Sequence, residues 1–381
     1  MFRDHRMNRA DYIASLFTGA PQHGNFARLR EFIPAAEMSA SPEPYDFPDG
    51  SPIPLPSTYI YLGERRSTED FLAGTDTMAL LVLKDGAVRF EHYAAFGGRG
   101  TCWVSMSVAK SFISAVLGIA VAEGAIRSIE EPVTAYVPSL AGSAYDRVRI
   151  KDILQMSSGA GWDEDYSDPN SDINRFARVS AEGGAMADFV PTLKRATEPG
   201  TVCHYNSMDT QVLGMLLKAA TGRQIADYMQ DKLWRPLGME ADGYWICDDT
   251  GMEMAYAGLN ATARDYARIG ELYRLGGAWQ GRQVVPAEWV EASITPDAPH
   301  LMPGVVDPLF GYGYQWWVID GADGEYAAIG VYNQFVYVNP ARDVTIVKLS
   351  ASRNYGTTND ETSFREHETI SLFRAIVDEM A

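Results

Sequence analysis

The sequence predicts an α+β fold in which one antiparallel sheet is flanked by helices and interrupted by a mostly helical inserted domain. A hairpin pattern lies early in the chain, at 78–93, and strand patterns return in the last third. Helical patterns with long loops fill the region between them. Strands from the two ends of the chain are expected to pair in one sheet, which makes the helical region an insertion.

The composition indicates a globular protein with an acidic surface. The chain has 381 residues, of which 46% are hydrophobic and 22% charged, and a formal net charge of −18. Nucleic acids and anionic membranes attract basic surfaces, so this charge argues against both as partners. The first thirty residues lack the apolar core of a signal peptide, and no run is long enough to span a bilayer. We therefore expect a cytoplasmic protein that acts on a small molecule; its oligomeric state stays open, with a homodimer as one alternative.

Cysteine and histidine patterns indicate neither a metal site nor a cofactor. The three cysteines are scattered, without a Cys-x-x-Cys pair, and the six histidines include no His-Glu-x-x-His. We expect no disulfide framework, no bound metal and no cofactor.

Residues 1–56 are predicted to form an extended N-terminal arm. A short helix is expected around Asp11–Phe17, and prolines are frequent between 34 and 56. Proline fixes φ and lacks an N–H group, so this segment is expected to lie extended over the body of the protein and to build no sheet core.

Residues 57–124 and 256–381 are predicted to build the sheet domain. The first part carries Asp85-Gly86 between two apolar runs, which is the strongest short signal for a hairpin. The second part carries three strand patterns, over 312–318, 326–338 and 344–349. A helix with one apolar face is expected to end the chain.

Residues 125–255 are predicted to form the mostly helical domain, with the active site between the two domains. A helix over Met208–Ala220 has Gly222 in the position of a C-terminal cap. The stretch 162–169 is a polar loop with aromatic residues, where binding residues tend to lie.

Ser107 and Lys110 lie three residues apart at the start of an apolar helical run. Residues at i and i+3 share one helix face, so the Ser107 hydroxyl and the Lys110 amine can meet. A partly desolvated lysine can take the proton that makes a serine hydroxyl nucleophilic. The alternative is an ordinary amphipathic helix with a serine cap and a surface lysine.

A serine nucleophile needs a second proton-transfer group and an oxyanion hole. Tyr205 is the candidate for the first, because a neighbouring ammonium favours phenolate, and Ser207 can hydrogen-bond Lys110. For the second, the Val331 backbone N–H can pair with that of Ser107, if the strand carrying Gly330 is an edge strand beside the serine helix. The alternatives are a half-buried loop tyrosine and a glycine in a core strand.

The substrate cleft is predicted at the 162–170 loop, where Trp162 and Tyr166 are placed to form its walls. The alternative is a solvated acidic loop.

Together, these motifs resemble, in order and spacing, those of the penicillin-recognising serine hydrolases. That family includes class C β-lactamases, DD-peptidases, β-lactamase-like carboxylesterases and 6-aminohexanoate-dimer hydrolases. The first motif is matched by Ser107-Val108-Ala109-Lys110 and the second by Tyr205-Asn206-Ser207. Ala328-Ile329-Gly330 takes the place of the third, and Trp162–Pro169 looks most like the 6-aminohexanoate-dimer hydrolases.

The resemblance implies a β-lactamase/transpeptidase-like fold and an acyl-enzyme on Ser107. Lys110 and Tyr205 would share the proton transfers, with Lys110 as the acylation base. Tyr205 would protonate the leaving group and activate water. Tyr166 would contact the scissile amide, and Ile329 and Gly330 would help to bind the substrate.

Two departures from the family pattern shape the functional prediction. Ala328 replaces the basic residue implicated in binding the carboxylate of β-lactams, and Ser207 replaces the commoner asparagine. We therefore expect a serine hydrolase of small linear amides or esters, similar to the 6-aminohexanoate-oligomer hydrolases. The alternatives are a carboxylesterase with vestigial β-lactamase activity and a catalytically silent binding protein. A Ser-His-Asp hydrolase is a further alternative, which no Gly-x-Ser-x-Gly supports.

Overall fold

A seven-stranded antiparallel sheet forms the centre of the protein. The computed structural model describes residues 8–16 and 22–380. The strands are β1 (Ala35–Met38), β2 (Thr58–Tyr61), β3 (Glu64–Ser67), β4 (Thr77–Lys84), β5 (Ala87–Tyr93), β6 (Trp103–Val104), β7 (Gly243–Ile246), β8 (Leu259–Ala261), β9 (Ala278–Trp279), β10 (Arg282–Gln283), β11 (Phe310–Tyr312), β12 (Trp317–Ile319), β13 (Tyr326–Gly330), β14 (Gln334–Asn339) and β15 (Val344–Ser350). The central sheet has the order β11-β12-β13-β14-β15-β4-β5, so strands from early and late in the chain pair as predicted.

Helices cover both faces of this sheet and fill the inserted region. They are α1 (Arg9–Ser15), α2 (Thr68–Gly74), α3 (Ala109–Ala122), α4 (Ile150–Leu154), α5 (Asp172–Ala181), α6 (Met186–Phe189), α7 (Ser207–Thr221), α8 (Ile225–Met229), α9 (Ala263–Arg274), α10 (Ala287–Ser293), α11 (Glu361–Phe364) and α12 (Glu366–Asp378). Within the described ranges, no helix is both long and apolar enough to cross a bilayer.

Alternation along the strands explains the two cores of the protein. Leu81 in β4 and Val336 in β14 belong to the core that contains α3 and α9, while Val82 and Phe335 face the core under α12. Successive strand side chains point to opposite faces, so a sheet buried on both sides has near-continuous apolar strands. The α+β prediction is confirmed.

A second, four-stranded sheet was not predicted. Its order is β1-β7-β8-β6, and β1 pairs with β7 antiparallel from Ala35 opposite Ile246 to Met38 opposite Gly243. The arm was predicted to lie extended and to build no sheet core; Ala35–Met38 are extended, and they pair as an edge strand of this second sheet. These four residues lie between Pro34 and the next proline, so their N–H groups are free to pair. The sheet also draws β7 from the region predicted to be mostly helical. Asp11 lies in α1, whereas Phe17 lies outside the described residues.

Two of the predicted strands are in fact pairs of strands. The 312–318 pattern divides into β11 and β12 at a turn where Gln315 has φ 62°, and the 326–338 pattern divides into β13 and β14. The second turn has Tyr332 at φ 62° and Asn333 at φ 71°. Apolar periodicity does not reveal such turns, because non-glycine residues rarely adopt positive φ. As a result β13 is an inner strand between β12 and β14, and not the edge strand that was expected.

Candidate active site

Ser107 lies in a short 3-10 turn, Met106–Val108, that leads directly into α3. Met106 has φ 46°, so the chain bends sharply just before the serine. This bend brings Ser107 to the positive end of α3, with 7% of its surface exposed. A helix N-terminus beside a serine hydroxyl favours the negative charge that develops when the hydroxyl attacks a carbonyl.

Lys110 lies one turn further along, directly beneath the serine. Its Nζ is 2.9 Å from Ser107 Oγ, 3.1 Å from Ser207 Oγ and 3.0 Å from the Tyr256 carbonyl oxygen. Only 1% of the residue is exposed, and burial lowers the pKa of the amine to about 7, although the charge of Glu164 opposes this shift. Near neutral pH the neutral amine is therefore well populated and able to accept a proton.

Glu164 is the centre of a hydrogen-bond network that connects the cleft loop to Lys110. Its carboxylate accepts bonds from the Ser207 hydroxyl at 2.6 Å, the Ser207 N–H at 3.1 Å and the Tyr166 hydroxyl at 2.7 Å. The Trp162 indole N–H donates to the same carboxylate. Sequence reasoning missed Glu164. The only available signal was its place in an acidic run that also contains Asp163 and Asp165.

The donors and acceptors of this network can be assigned in only one way. A carboxylate and a carbonyl accept hydrogen bonds only, so Ser207 must give its proton to Glu164 and offer its oxygen to Lys110. A neutral Lys110 amine then uses both of its protons on Ser207 Oγ and the Tyr256 carbonyl. The lone pair of the amine nitrogen then points to Ser107, where it can accept a hydrogen bond from the serine hydroxyl.

Tyr205 lies beside the same amine. The centre of its ring is 5.0 Å from Lys110 Nζ. The ring stacks on that of Trp317, with 5.2 Å between the two ring centres. Burial, together with the charge of Glu164, raises the pKa of the Tyr205 phenol well above its ordinary value, and a hydrogen bond with Ser107 offsets only part of the rise. The neutral phenol is therefore favoured over phenolate at Tyr205, contrary to the expectation that the neighbouring Lys110 would favour phenolate.

Gly330 brings β13 against the backbone of the serine turn. A Cβ atom on this residue would lie 2.7 Å from the Ser105 carbonyl oxygen and 2.9 Å from the Ser107 nitrogen. Such distances exclude any side chain without a backbone shift. The close approach is made by the end of an inner strand, and the next residue, Val331, lines the same cleft as Ser107.

The structure brings most of the predicted residues together in one cleft of about 350 Å³. The predicted residues on its walls are Ser107, Trp162, Tyr166, Tyr205, Ile329, Gly330 and Val331. Ser207 lies behind them, and Lys110 lies below Ser107. Residues from distant parts of the chain that were not predicted also line the cleft: Trp317, Tyr355, Asn359, Phe364 and Glu366. No local motif marks them, because only the fold brings them to the cleft.

The fold is that of the β-lactamase-like hydrolases. A family profile described as Beta-lactamase matches residues 65–369, and the chain belongs to this family. It is 33% identical over 342 residues to a 6-aminohexanoate-dimer hydrolase of Paenarthrobacter ureafaciens, covering 86% of this chain and 84% of the relative. The prediction of a serine hydrolase related to these enzymes is confirmed.

Solved structures support the same fold across the chain. A Bacillus anthracis protein, provisionally named a 6-aminohexanoate-dimer hydrolase, superposes with a TM-score of 0.86 at 22% identity. That match covers 100% of this chain and 98% of the other. EstCE1, a hydrolase with promiscuous acyltransferase activity, matches with a TM-score of 0.65 at 14% identity over 81% of this chain and 96% of its own.

Proposed function

We propose that this protein hydrolyses small linear amides or esters through an acyl-enzyme on Ser107, with Lys110 and Tyr205 as its proton-transfer groups. The observation that carries the proposal is the 2.9 Å contact between Ser107 Oγ and a buried lysine amine. A surface lysine on a capped helix, the alternative for this motif, would be exposed and protonated. The relative from Paenarthrobacter ureafaciens is named a 6-aminohexanoate-dimer hydrolase, which supports a small amide substrate.

Acylation begins when Lys110 takes the Ser107 proton and Oγ forms a bond to the substrate carbonyl carbon. The carbonyl electrons move to the oxygen, which the N–H groups of Ser107 and Val331 stabilise. The intermediate collapses by breaking the bond to the leaving nitrogen or oxygen, which takes the Tyr205 proton. The Lys110 ammonium then returns a proton to Tyr205.

Deacylation repeats these transfers with water as the nucleophile. Water gives one proton to the Tyr205–Lys110 pair as its oxygen attacks the acyl carbon, and the bond to Ser107 Oγ breaks. The serine oxygen regains the proton from the pair. Glu164 takes no part in these transfers and instead holds Ser207 in the orientation that directs the Lys110 lone pair to Ser107.

The cleft disfavours a substrate that depends on a carboxylate. Ala328 is 1% exposed within β13, and none of the described residues on the cleft wall is lysine or arginine. Asp163, Glu164, Asp165 and Glu366 line it instead. A carboxylated β-lactam would meet no lysine or arginine on this wall, which favours amide or ester hydrolysis over β-lactamase activity.

A fluorophosphonate probe tests the nucleophile directly. We expect labelling of the purified protein at Ser107, mapped by mass spectrometry, and turnover of p-nitrophenyl esters or linear amide dimers in preference to nitrocefin. Ser107→Ala should abolish both, while Lys110→Ala and Tyr205→Phe should each lower kcat/KM by about 10²–10⁴ with the thermal transition retained.

Ser111→Ala is the matched control for the nucleophile. Ser111 lies in the first turn of α3, is also buried, and donates to the Gln315 carbonyl. Its variant should keep the label and the activity. Adduct formation elsewhere, or turnover that survives Ser107→Ala, would disprove the assignment.

A further inference from the structure

Ser107 lies between two spaces, of which one has acidic side chains on its wall and the other has no charged side chain among the described residues that line it. One is the cleft described above, and the other is a cavity of about 140 Å³ that we call the apolar chamber. Its walls include Leu16, Ile33, Met106, Ile173, Ala177 and Met254. Ser107, Tyr166 and Val331 line both spaces, so a carbonyl bound over Ser107 has one substituent directed into each.

Tyr205 determines which part of the substrate enters which space. It lines the cleft and is not on the wall of the apolar chamber. This step rests on the proposed function, in which Tyr205 protonates the leaving group. The leaving group must therefore lie in the cleft, and the acyl group must extend into the apolar chamber.

Polar groups on the chamber wall are already satisfied within the protein. Asn174 Nδ2 donates to the Asp168 carbonyl at 2.8 Å and the Tyr166 carbonyl at 3.2 Å. The Tyr332 hydroxyl donates to the Leu16 carbonyl at 2.7 Å. Among the described residues that line the chamber, none is Asp, Glu, Lys, Arg or His. A charged group at the far end of an acyl chain would thus be desolvated without a partner of opposite charge.

We infer that the enzyme is selective for an uncharged, apolar acyl group of up to about six carbons. The size follows from the cavity, since a dry apolar cavity of about 150 Å³ accepts one benzene molecule. The preference for an uncharged acyl group follows because none of the described residues that line the chamber carries a charge. Hexanoyl esters and amides belong to this class, whereas 6-aminohexanoyl compounds carry an ammonium that the chamber cannot pair.

The test compares p-nitrophenyl esters that share one leaving group. We expect kcat/KM to rise from acetate to butyrate and hexanoate and to fall again at decanoate. At pH 7.5, hexanoate should exceed 6-aminohexanoate by at least tenfold. Equal rates for these two esters, or a preference for 6-aminohexanoate, would overturn the inference and leave the proposed function standing.

A variant that fills the chamber gives a second measurement. Ala177→Phe adds a ring to the chamber wall and should lower the hexanoate-to-acetate ratio of kcat/KM at least tenfold. Ala122→Phe, on the exposed last turn of α3, adds the same atoms outside the chamber and should leave the ratio unchanged. An unchanged ratio in folded Ala177→Phe contradicts the chamber assignment. Absence of hydrolysis across the series, with no fluorophosphonate label on Ser107, would instead overturn the proposed function and this inference with it.

Discussion

Glu164 illustrates how much one carboxylate determines at the scale of single residues. The Ser-x-x-Lys spacing predicted the contact between Ser107 and Lys110, because helix geometry alone places i and i+3 on one face. No comparable rule selects Glu164 from its acidic neighbours. Its importance depends on a 2.6 Å contact with Ser207, 43 residues later in the chain, which only the folded structure reveals.

Glu164→Gln should alter both the rate and its pH dependence. The charge of Glu164 raises the pKa of Lys110, so its removal should move the acidic limb of kcat/KM, expected near pH 7, to lower pH. The new amide can donate to Ser207, which then turns its proton toward the Lys110 lone pair and competes with Ser107. We expect the plateau of kcat/KM to fall on the order of tenfold. This is less than the rate enhancement of about 10²–10⁴ that a catalytic base supplies, because Lys110 itself is retained.

Asp168→Asn is the control, because it removes the same charge from the same loop without a bond to Ser207. Its pH profile should match that of the parent enzyme. A Glu164→Gln limb that stays in place, or moves to higher pH, would show that Glu164 does not act on Lys110.

At the scale of elements, the site depends on how closely β13 approaches the start of α3. Apolar periodicity identified α3 and the strand patterns near the C-terminus. It did not identify the β13–β14 turn, since Tyr332 and Asn333 adopt positive φ without glycine. The motifs were enough to predict that the strand carrying Gly330 lies beside the serine helix, but not that it is an inner strand paired on both sides.

Gly330→Ala should impair catalysis more than folding. The added Cβ would meet two backbone atoms of the serine turn, at 2.7 and 2.9 Å, and backbone cannot rotate away as a side chain can. The strand must therefore move back, which separates the N–H groups of Ser107 and Val331 from the position of the oxyanion. Loss of one such donor costs about 10²–10³ in kcat, and we expect a fall in that range with a smaller change in KM.

Gly98→Ala provides the comparison, because the nearest atom to its added Cβ is 4.0 Å away. Steady-state kinetics and a thermal melt of both variants separate the two effects. A kcat within threefold of the parent value in folded Gly330→Ala would argue against an oxyanion hole between α3 and β13.

At the scale of the whole molecule, the chain order of strands and helices was enough to predict the central sheet. Apolar runs at both ends of the chain have few other ways to be buried, and the insertion follows from that pairing. The four-stranded sheet was beyond prediction, because β1 and β7 are four residues each and lie about 200 residues apart. Such short strands gain their stability from the tertiary context, which leaves little local signal.

Buried carboxyl groups in separate parts of the fold link its stability to pH. Burial raises the pKa of Asp209 in α7 to about 7, that of Asp265 in α9 to about 6 and that of Glu366 in α12 to about 8. Each folded group holds a proton that its unfolded counterpart loses near pH 4. The stability that each contributes is complete below that pH and is lost as pH rises through the folded pKa.

Asp209→Asn isolates this effect at one position. Asp209 Oδ1 accepts hydrogen bonds from the Tyr145 hydroxyl at 2.8 Å and the Ser158 hydroxyl at 2.6 Å, and an asparagine oxygen can accept both. As pH rises from 4 to 7, the Asp209 carboxyl ionises in the unfolded state but keeps its proton in the folded state. The free energy of unfolding of the parent protein therefore falls by on the order of 4 kcal/mol, a loss that asparagine avoids because it does not ionise. Relative to the parent protein, the melting temperature of Asp209→Asn should therefore rise between pH 4 and pH 7 and level off above pH 7. Asp168→Asn, on an exposed loop, should follow the parent at every pH; a constant offset for Asp209→Asn would mean that this buried carboxyl does not titrate with unfolding.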